Sequence, residues 1–312
     1  MSQISEDASD GDEPGADRSG LIQALARDAK RWLSEALEPG LYIVATPIGN
    51  LGDITIRALA VLARADVVYC EDTRHSAKLL QHFAIPATTR PLHDHNEDGE
   101  VRRILTGLDG AKRIALISDA GTPLISDPGF KLVRAVAAAG HAVTIIPGPS
   151  ALIGALAVSG LPTDAFFFGG FLPPKQAARR ARILELKAVP GTLVFFEAPQ
   201  RTAETLGDLR DILGDRPAVM ARELTKIHEE LARGTLSALA ESMAARELKG
   251  EVVLAVGPPL VLSVGDDEIA ARLEVALATM RLKDAAKAVA DALGVPKTRV
   301  YDIGLKVKSE AT

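Results

Sequence analysis

Short continuous apolar runs alternate along this chain with stretches whose apolar positions recur every three or four residues. The first pattern fits strands buried on both faces, and the second fits amphipathic helices. In the first half, strands are expected at 41–45, 67–70, 113–117 and 142–146, with a short one at 88–91. Helices are expected at 21–37, 55–63, 76–82, 100–108 and 130–139. Leu21, Leu25, Trp32 and Leu37 mark the apolar side of the first helix, and Pro39-Gly40 ends it. The second half repeats the alternation. It gives a helix at 151–159, a Phe-rich strand at 165–171, a basic helix at 175–187 and a strand at 192–197. A helix at 202–213, a strand at 218–221, a helix at 236–247 and a strand at 251–257 follow.

In the first half, strands that alternate with helices predict a parallel or mostly parallel sheet with helices on both faces. A third, helical segment runs from Asp266 to the end, with helices at 282–293 and 297–305 around the turn Gly294-Val-Pro296. The expected organisation is an acidic, unstructured tail and helical extension over 1–39. An N-terminal α/β domain (40–149), a C-terminal α/β domain (150–259) and a small helix-turn-helix-like domain (260–312) complete it.

Composition narrows the function classes. The single cysteine, Cys70, rules out an intramolecular disulfide framework and suits a reducing, cytoplasmic setting. It ends an apolar run, so a buried thiol is expected rather than a nucleophile. The first residues are acidic and almost free of large apolar side chains, unlike a secretory signal. The most apolar stretch, 151–158, is far shorter than the roughly 20 residues a membrane helix needs. Net charge is −5, yet six acids and only one base lie in residues 1–18, so the remainder of the chain is neutral. Local patches, not total charge, must therefore carry any contact with nucleic acid.

Two nucleotide motifs are missing. No G-x-x-x-x-G-K-[ST] phosphate loop and no G-x-G-x-x-G after the first strand occur. An NTP-dependent hydrolase is unsupported for that reason. Strand ends carry Pro/Gly loops instead: Thr46-Pro-Ile-Gly49, Pro147-Gly-Pro-Ser150, and the long loop 118–129, Ser-Asp-Ala-Gly-Thr-Pro-Leu-Ile-Ser-Asp-Pro-Gly. Proline fixes φ and glycine lets backbone approach a ligand, so such loops present rigid N–H and C=O groups. That suits the edge of an adenine or ribose better than a triphosphate. The plainer alternative for 118–129 is a connection whose Asp127 caps the next helix. Glu71-Asp-Thr-Arg74 alone fits a helix start capped by Asp72 or Thr73. Arg222-Glu223 and Lys226 alone fit a salt-bridged surface turn.

Taken together, these segments carry a resemblance. Val44-Ala-Thr-Pro-Ile-Gly-Asn-Leu51, Glu71-Asp-Thr-Arg74, His93-Asp-His-Asn-Glu97, the loop 118–129, Pro147-Gly-Pro-Ser-Ala151, Phe196-Glu-Ala-Pro-Gln-Arg201 and Arg222-Glu-Leu-Thr-Lys226 stand in unbroken order. The series resembles the ribosomal RNA small subunit methyltransferase I family, a branch of the tetrapyrrole-methylase-like superfamily. The likeness spans about residues 40–258, with a similar small C-terminal domain beyond. It implies two α/β domains of the tetrapyrrole methylase type with an interdomain cleft. It also implies S-adenosyl-L-methionine as cofactor, 2′-O-methylation of a cytidine ribose in the decoding region of 16S rRNA, a homodimer and no metal. Carried over by motif, cofactor contacts are expected from Pro47, Asp119, Ala120, Gly121, Thr122, Ser150, Ala151, Phe196, Ala198 and Leu254.

Methyl transfer from a sulfonium is an in-line displacement, favoured by holding the acceptor oxygen near the methyl carbon. A ribose hydroxyl is a poor nucleophile, so a base or a stabilising cation would help. Asp72, His95 and Glu97 are the expected base candidates, and Arg74 and Lys226 the electrostatic ones. His93 and His95 have no third metal ligand at a recognisable spacing. The basic helix 175–187 (Lys175, Arg179, Arg180, Arg182, Lys187) fits a solvated face or a contact with RNA phosphates, and the basic C-terminal segment fits a packing appendage or a helix-turn-helix-like RNA-docking module. Two rival functions share these features: a methylase acting on a tetrapyrrole ring, and a non-catalytic RNA-binding protein on the same scaffold.

Overall fold

The computed structural model describes residues 18–93, 96–259 and 265–310. The chain divides into two compact units, Met1–Pro258 and Pro259–Thr312. The expected unstructured tail lies outside the described residues as far as residue 17, whereas Ser19 and Gly20 already belong to the first helix.

The first unit opens with α1 (Ser19–Ser34), which lies along α2 (Ile56–Arg64) and buries no residue fully. Its first sheet contains β1 (Gly40–Val44), β2 (Val67–Cys70), β3 (Thr89–Pro91), β4 (Arg113–Ile117) and β5 (Val143–Ile146). The order is β3-β2-β4-β1-β5 and every pairing is parallel. Strand side chains alternate between faces. Tyr42, Val44, Ala115 and Ile117 therefore join one core with α2 and α3 (Thr73–His82). Leu41, Ile43, Ile114 and Leu116 join the opposite core with α4 (Glu97–Asp109) and α5 (Phe130–Ala138). β1 is buried at all five positions, as a central strand covered on both faces must be.

After α6 (Ala151–Ser159) the chain builds a second sheet, which is mixed. Its strands are β6 (Phe166–Phe171), β7 (Thr192–Glu197), β8 (Pro217–Arg222), β9 (Glu230–Thr235) and β10 (Val252–Val256). The order is β6-β7-β10-β8-β9. Only β6 and β7 are parallel, while β10 runs antiparallel to both of its neighbours and β8 pairs antiparallel with β9. The sequence reading did not include β9. Its residues, Glu-Leu-Ala-Arg-Gly-Thr, lie on the sheet edge, and Arg233 to Thr235 are exposed, so no buried run marks it. α7 (Gln176–Glu185), α8 (Thr202–Leu213) and α9 (Leu236–Ala244) cover one face and α6 the other.

The basic helix α7 differs from the expected solvated or RNA-facing surface. Arg179 is fully buried, with Nε 2.7 Å from Asp208 Oδ2 and Nη2 3.3 Å from Glu204 Oε2. Arg180 reaches Asp208 at 2.6 Å, and Arg182 pairs with Glu185 at 2.7 Å. These bases are spent on holding α7 to α8 and on local pairing.

The second unit consists of α10 (Asp266–Leu277), α11 (Leu282–Leu293) and α12 (Lys297–Glu310). Ile269, Leu273, Ala286, Val289, Val300 and Ile303 form its core. Gly294 ends α11 in the left-handed conformation (φ 63°), where L side chains are strained, and Pro296 follows. Small side chains let helices approach closely, and a Cβ at Gly304 would strike Leu282 at 2.5 Å. Among the described residues no helix is long and apolar enough to cross a membrane.

Candidate functional site

The strand order of the first sheet sets β4, β1 and β5 side by side. The strands are parallel, so the three loops after them emerge together, at the edge where open α/β sheets bind ligands. They are also laced to one another. Thr46 and Gly121 exchange two backbone hydrogen bonds, Thr46 N donating to Gly121 O at 2.8 Å and Gly121 N to Thr46 O at 3.0 Å. The buried Thr46 hydroxyl donates to Ser118 O at 3.1 Å, and the Thr122 hydroxyl donates to Pro149 O at 3.2 Å. Ser150 caps α6 and accepts from Ile153 N at 3.5 Å. The threonines and the capping serine fix the three loops as one surface.

The loop 118–129 is held in unusual backbone conformations. Gly121 (φ 83°) and Gly129 (φ 124°) take positive φ at no steric cost, but Leu124 (φ 74°) and Ser126 (φ 69°) do so with side chains. Such strain persists where surrounding structure over-determines it, and it concentrates at functional sites.

A cavity of about 350 Å³ opens against this surface, within the size range of small-molecule sites. From the first sheet it is lined by Ile48, by residues 119–122 and 125–127, and by Ser150 and Ala151. From the second it receives Phe171, residues 196–199 and residues 250–253. Asp119, Asp127, Glu197 and Glu251 are among its lining residues, with the Glu197 carboxylate itself fully buried against Arg201 and Thr205, and among the described residues no Lys, Arg or His lines it. That donor set opposes a polyphosphate and suits a cationic, partly apolar ligand.

Eight of the expected cofactor residues meet in this cavity: Asp119, Ala120, Gly121, Thr122, Ser150, Ala151, Phe196 and Ala198. Pro47 and Leu254 do not line it. Leu254 is fully buried in the middle of β10, whereas Val252 and Val253 reach the cavity. Antiparallel pairing explains this, because the start of β10 lies beside the end of β7. Ile48, Ile125, Ser126, Asp127, Phe171, Glu197, Pro199, Gly250 and Glu251 are lining residues that sequence reading did not name as contacts. Position after a strand end could have signalled Asp127 and Pro199. Nothing local signals Gly250-Glu251, which precede a strand.

Asp72, Arg74, Glu97 and Lys226 lie outside the lining. Asp72 caps α3, accepting from Arg74 N at 2.8 Å, and its carboxylate is paired with the Arg74 guanidinium at 3.0 and 3.2 Å. Those bonds from Arg74, side chain first and backbone second, hold the Asp72 carboxyl down at about 2, which makes it a weak base. Its backbone touches the cavity wall indirectly, since Asp72 N donates to Asp119 Oδ1 at 3.2 Å. Glu97 is buried, and its Oε1 accepts from Leu132 N at 3.1 Å, tying α4 to α5. His95 lies outside the described residues. Lys226 stretches its stem over Gly49 and places Nζ 2.7 Å from Glu223 and 3.0 Å from Glu251. Burial works against its charge, but the two ion pairs outweigh it and raise its pKa. Lys226 thus bridges the Gly49 turn of the first sheet to the cavity residue Glu251 of the second.

Glu197 is the other organising group. Buried at the end of β7, it accepts from Ala198 N at 2.7 Å, from the Thr205 hydroxyl at 2.6 Å and from Arg201. It holds the Ala198-Pro199 backbone that forms part of the wall. Among the described residues no group of three or more His, Cys, Asp or Glu is placed to hold a metal ion.

A cleft built from a parallel and a mixed sheet, walled by Pro/Gly loops, is the layout of one enzyme class: residues 40–240 match the tetrapyrrole (corrin/porphyrin) methylases. Solved structures agree in fold alone. The methyltransferase CobJ superposes with a TM-score of 0.54 at 19% identity, over 70% of this chain and 94% of that one. Diphthine synthase does so with 0.54 at 17%, over 70% and 89%. Residues 263–308 match the RsmI C-terminal HTH domain. Ribosomal RNA small subunit methyltransferase I of Mesorhizobium japonicum is 49% identical over 274 residues, spanning 87% of this chain and 93% of the relative. The proteins of the same name from Pseudomonas aeruginosa (47%; 85% and 96%) and Xylella fastidiosa (50%; 84% and 98%) are equally similar. The chain belongs to the ribosomal RNA small subunit methyltransferase I family.

Proposed function

We propose that this chain transfers the methyl group of S-adenosylmethionine to the 2′-oxygen of a cytidine ribose in the decoding region of 16S rRNA. The observation that carries the reading is the cavity itself: an apolar cleft with acidic side chains and rigid backbone, in a chain that is similar along most of its length to small-subunit rRNA methyltransferases. S-adenosylmethionine supplies an electrophilic methyl on a positively charged sulfur. The residues present fit it. Gly121 brings backbone to the wall, Phe196 and Val253 offer apolar surface, and the acids Asp119, Asp127 and Glu251 favour a cation over a phosphate. Closing the ligand between two sheets excludes water from the displacement.

The test uses labelled S-adenosylmethionine and small ribosomal subunits from a strain lacking the gene, followed by mapping of the label. Label on a cytidine ribose is expected. Label on another RNA atom, or on a porphyrin or corrinoid only, would count against the reading.

Two further parts belong to the proposal. The second unit, residues 259–312, docks RNA, in line with the match of residues 263–308 to a helix-turn-helix domain. A chain ending at Gly257 is expected to lose affinity for small subunits at least tenfold while keeping its affinity for S-adenosylhomocysteine within about threefold, a comparison made by filter binding and calorimetry. Equal losses would reduce the unit to a structural role. The chain also acts as a homodimer, for which the exposed Val143 and Ile145 on edge strand β5 supply apolar surface. Light scattering at the mass of a single 32.9 kDa chain would exclude it.

A further inference from the structure

We infer that Asp127 is the general base of the reaction, the group that takes the proton from the acceptor hydroxyl, a role that rests on the methyl-transfer reading above. Asp127 lines the cavity from the loop that joins β4 to α5. The residue before it, Ser126, is held at φ 69°, and the residue two further on, Gly129, at φ 124°, so the segment is fixed rather than free to swing away. Asp127 does not cap α5, whose N-cap is Gly129 with no side-chain bond, so the side chain is not needed for the helix start.

The other acids of the neighbourhood are committed elsewhere. Asp72 is neutralised by Arg74, Asp119 accepts from Asp72 N, and Glu197 is occupied by Arg201, Thr205 and Ala198 N. Glu251 receives Lys226. The groups that face Asp127 are Glu71 from the end of β2, and Ser118 and Asp119 from the end of β4, with Glu251 also lining the cavity. Among the described residues no Lys, Arg or His lines the cavity. Burial first, then the negative fields of Glu71 and Asp119, push the Asp127 carboxyl up to about 6 against an opposing hydrogen bond from Ser118. A base is most effective when its pKa lies near the working pH, because it is then both ionised and avid for a proton.

The step balances. The acceptor O–H proton passes to a carboxylate oxygen of Asp127 as the oxygen–carbon bond forms. The sulfur–methyl bond breaks, and its electron pair stays on sulfur. Asp127 then returns the proton to solvent.

Two readouts separate this role from a structural one. Asp127→Asn is expected to lower kcat on small subunits at least 100-fold near pH 7.5, the low end of what a general base contributes. Its affinity for S-adenosylhomocysteine stays within about threefold, and the rise of wild-type kcat through about pH 6 disappears. The second readout needs no activity. A carboxyl raised in the folded state stabilises the fold while protonated, and that contribution is lost as pH climbs from the ordinary carboxyl range through about 6. Asp127→Asn is therefore expected to melt at a higher temperature than wild type above pH 7, with the difference closing below pH 4. Activity of the variant within threefold of wild type, or a loss of S-adenosylhomocysteine affinity as large as the loss of kcat, overturns the assignment. A melting difference that is the same at every pH overturns the protonation behaviour behind it. Wild-type protein that binds S-adenosylhomocysteine but methylates no small subunits overturns the functional reading and this role with it. A defect confined to the variant cannot be confused with that result.

Discussion

Replacing Gly121 with valine is expected to weaken binding of S-adenosylhomocysteine about 100-fold, a loss of about 2.8 kcal/mol at 1.4 kcal/mol per factor of ten. Two effects add. At φ 83° an L residue is strained, by about 1–2 kcal/mol for an ordinary side chain in the left-handed region and more for a β-branched one. A Cβ there would also stand 3.3 Å from Ile48 Cγ2, itself a cavity residue, so the added methyls crowd the wall. The strain is relieved only by shifting the Thr46–Gly121 backbone pair, which moves two of the three loops at once. Alanine at this position is expected to cost roughly tenfold, since it adds the Cβ without the branch. Calorimetric titration measures both, with circular dichroism to show that the sheets remain. Unchanged affinity in the valine variant would mean that the ligand does not approach this backbone.

The second large effect is on stability. Arg179→Ala is expected to destabilise the first unit by about 3–5 kcal/mol, the range for breaking a buried ion pair by removing one partner. Asp208 would be left nearly buried, holding only Arg180 and the distant amide of Gln176, with a cavity where the guanidinium lay. For a unit of this size, that corresponds to a fall in melting temperature of roughly 6–20 °C. The paired replacement Arg179→Met with Asp208→Leu is expected to recover most of the loss, because well-packed apolar side chains commonly replace a buried pair without penalty. Arg180 is partly exposed and can then turn to water and Asp211. Thermal denaturation followed by circular dichroism decides it. An alanine variant within about 1 kcal/mol of wild type would show that α7 and α8 are held by Ile183 and its neighbours alone.

The first sheet was largely legible because its information is local. β2 and β4 match the expected runs at 67–70 and 113–117 residue for residue, as α6 matches 151–159. An apolar run needs no knowledge of its neighbours to declare itself a buried strand. Loops after parallel strands necessarily gather at one edge, so the sequence alone places Asp119, Gly121 and Ser150 together. The second sheet was less legible because strand direction depends on which strand pairs with which, and that is a distant choice. β10 reads the same as a parallel or an antiparallel strand. Its reversal brings Gly250, Glu251 and Val252 to the cavity and leaves Leu254 in the core. β9 escaped because an edge strand with an exposed end carries no continuous apolar run.

Charge shows the same division. Arg179 and Asp208 are 29 residues apart, and nothing near either one reveals that they meet out of water. As a string of letters, α7 is a basic helix. In the fold one of its bases, Arg179, is fully buried. Asp127 is the converse case. Its letter sits in a motif that marks a ligand loop, but its burial beside Glu71 and Asp119 is set by packing. The sequence by itself determined the element types, the parallel sheet, the ligand loops at its edge and the family. The tertiary structure alone decided the direction of β10, the partners of each charge and which acid faces the cavity. Hydrophobic periodicity is read over a few neighbouring residues, whereas desolvation and pairing depend on atoms that the chain brings together from far apart.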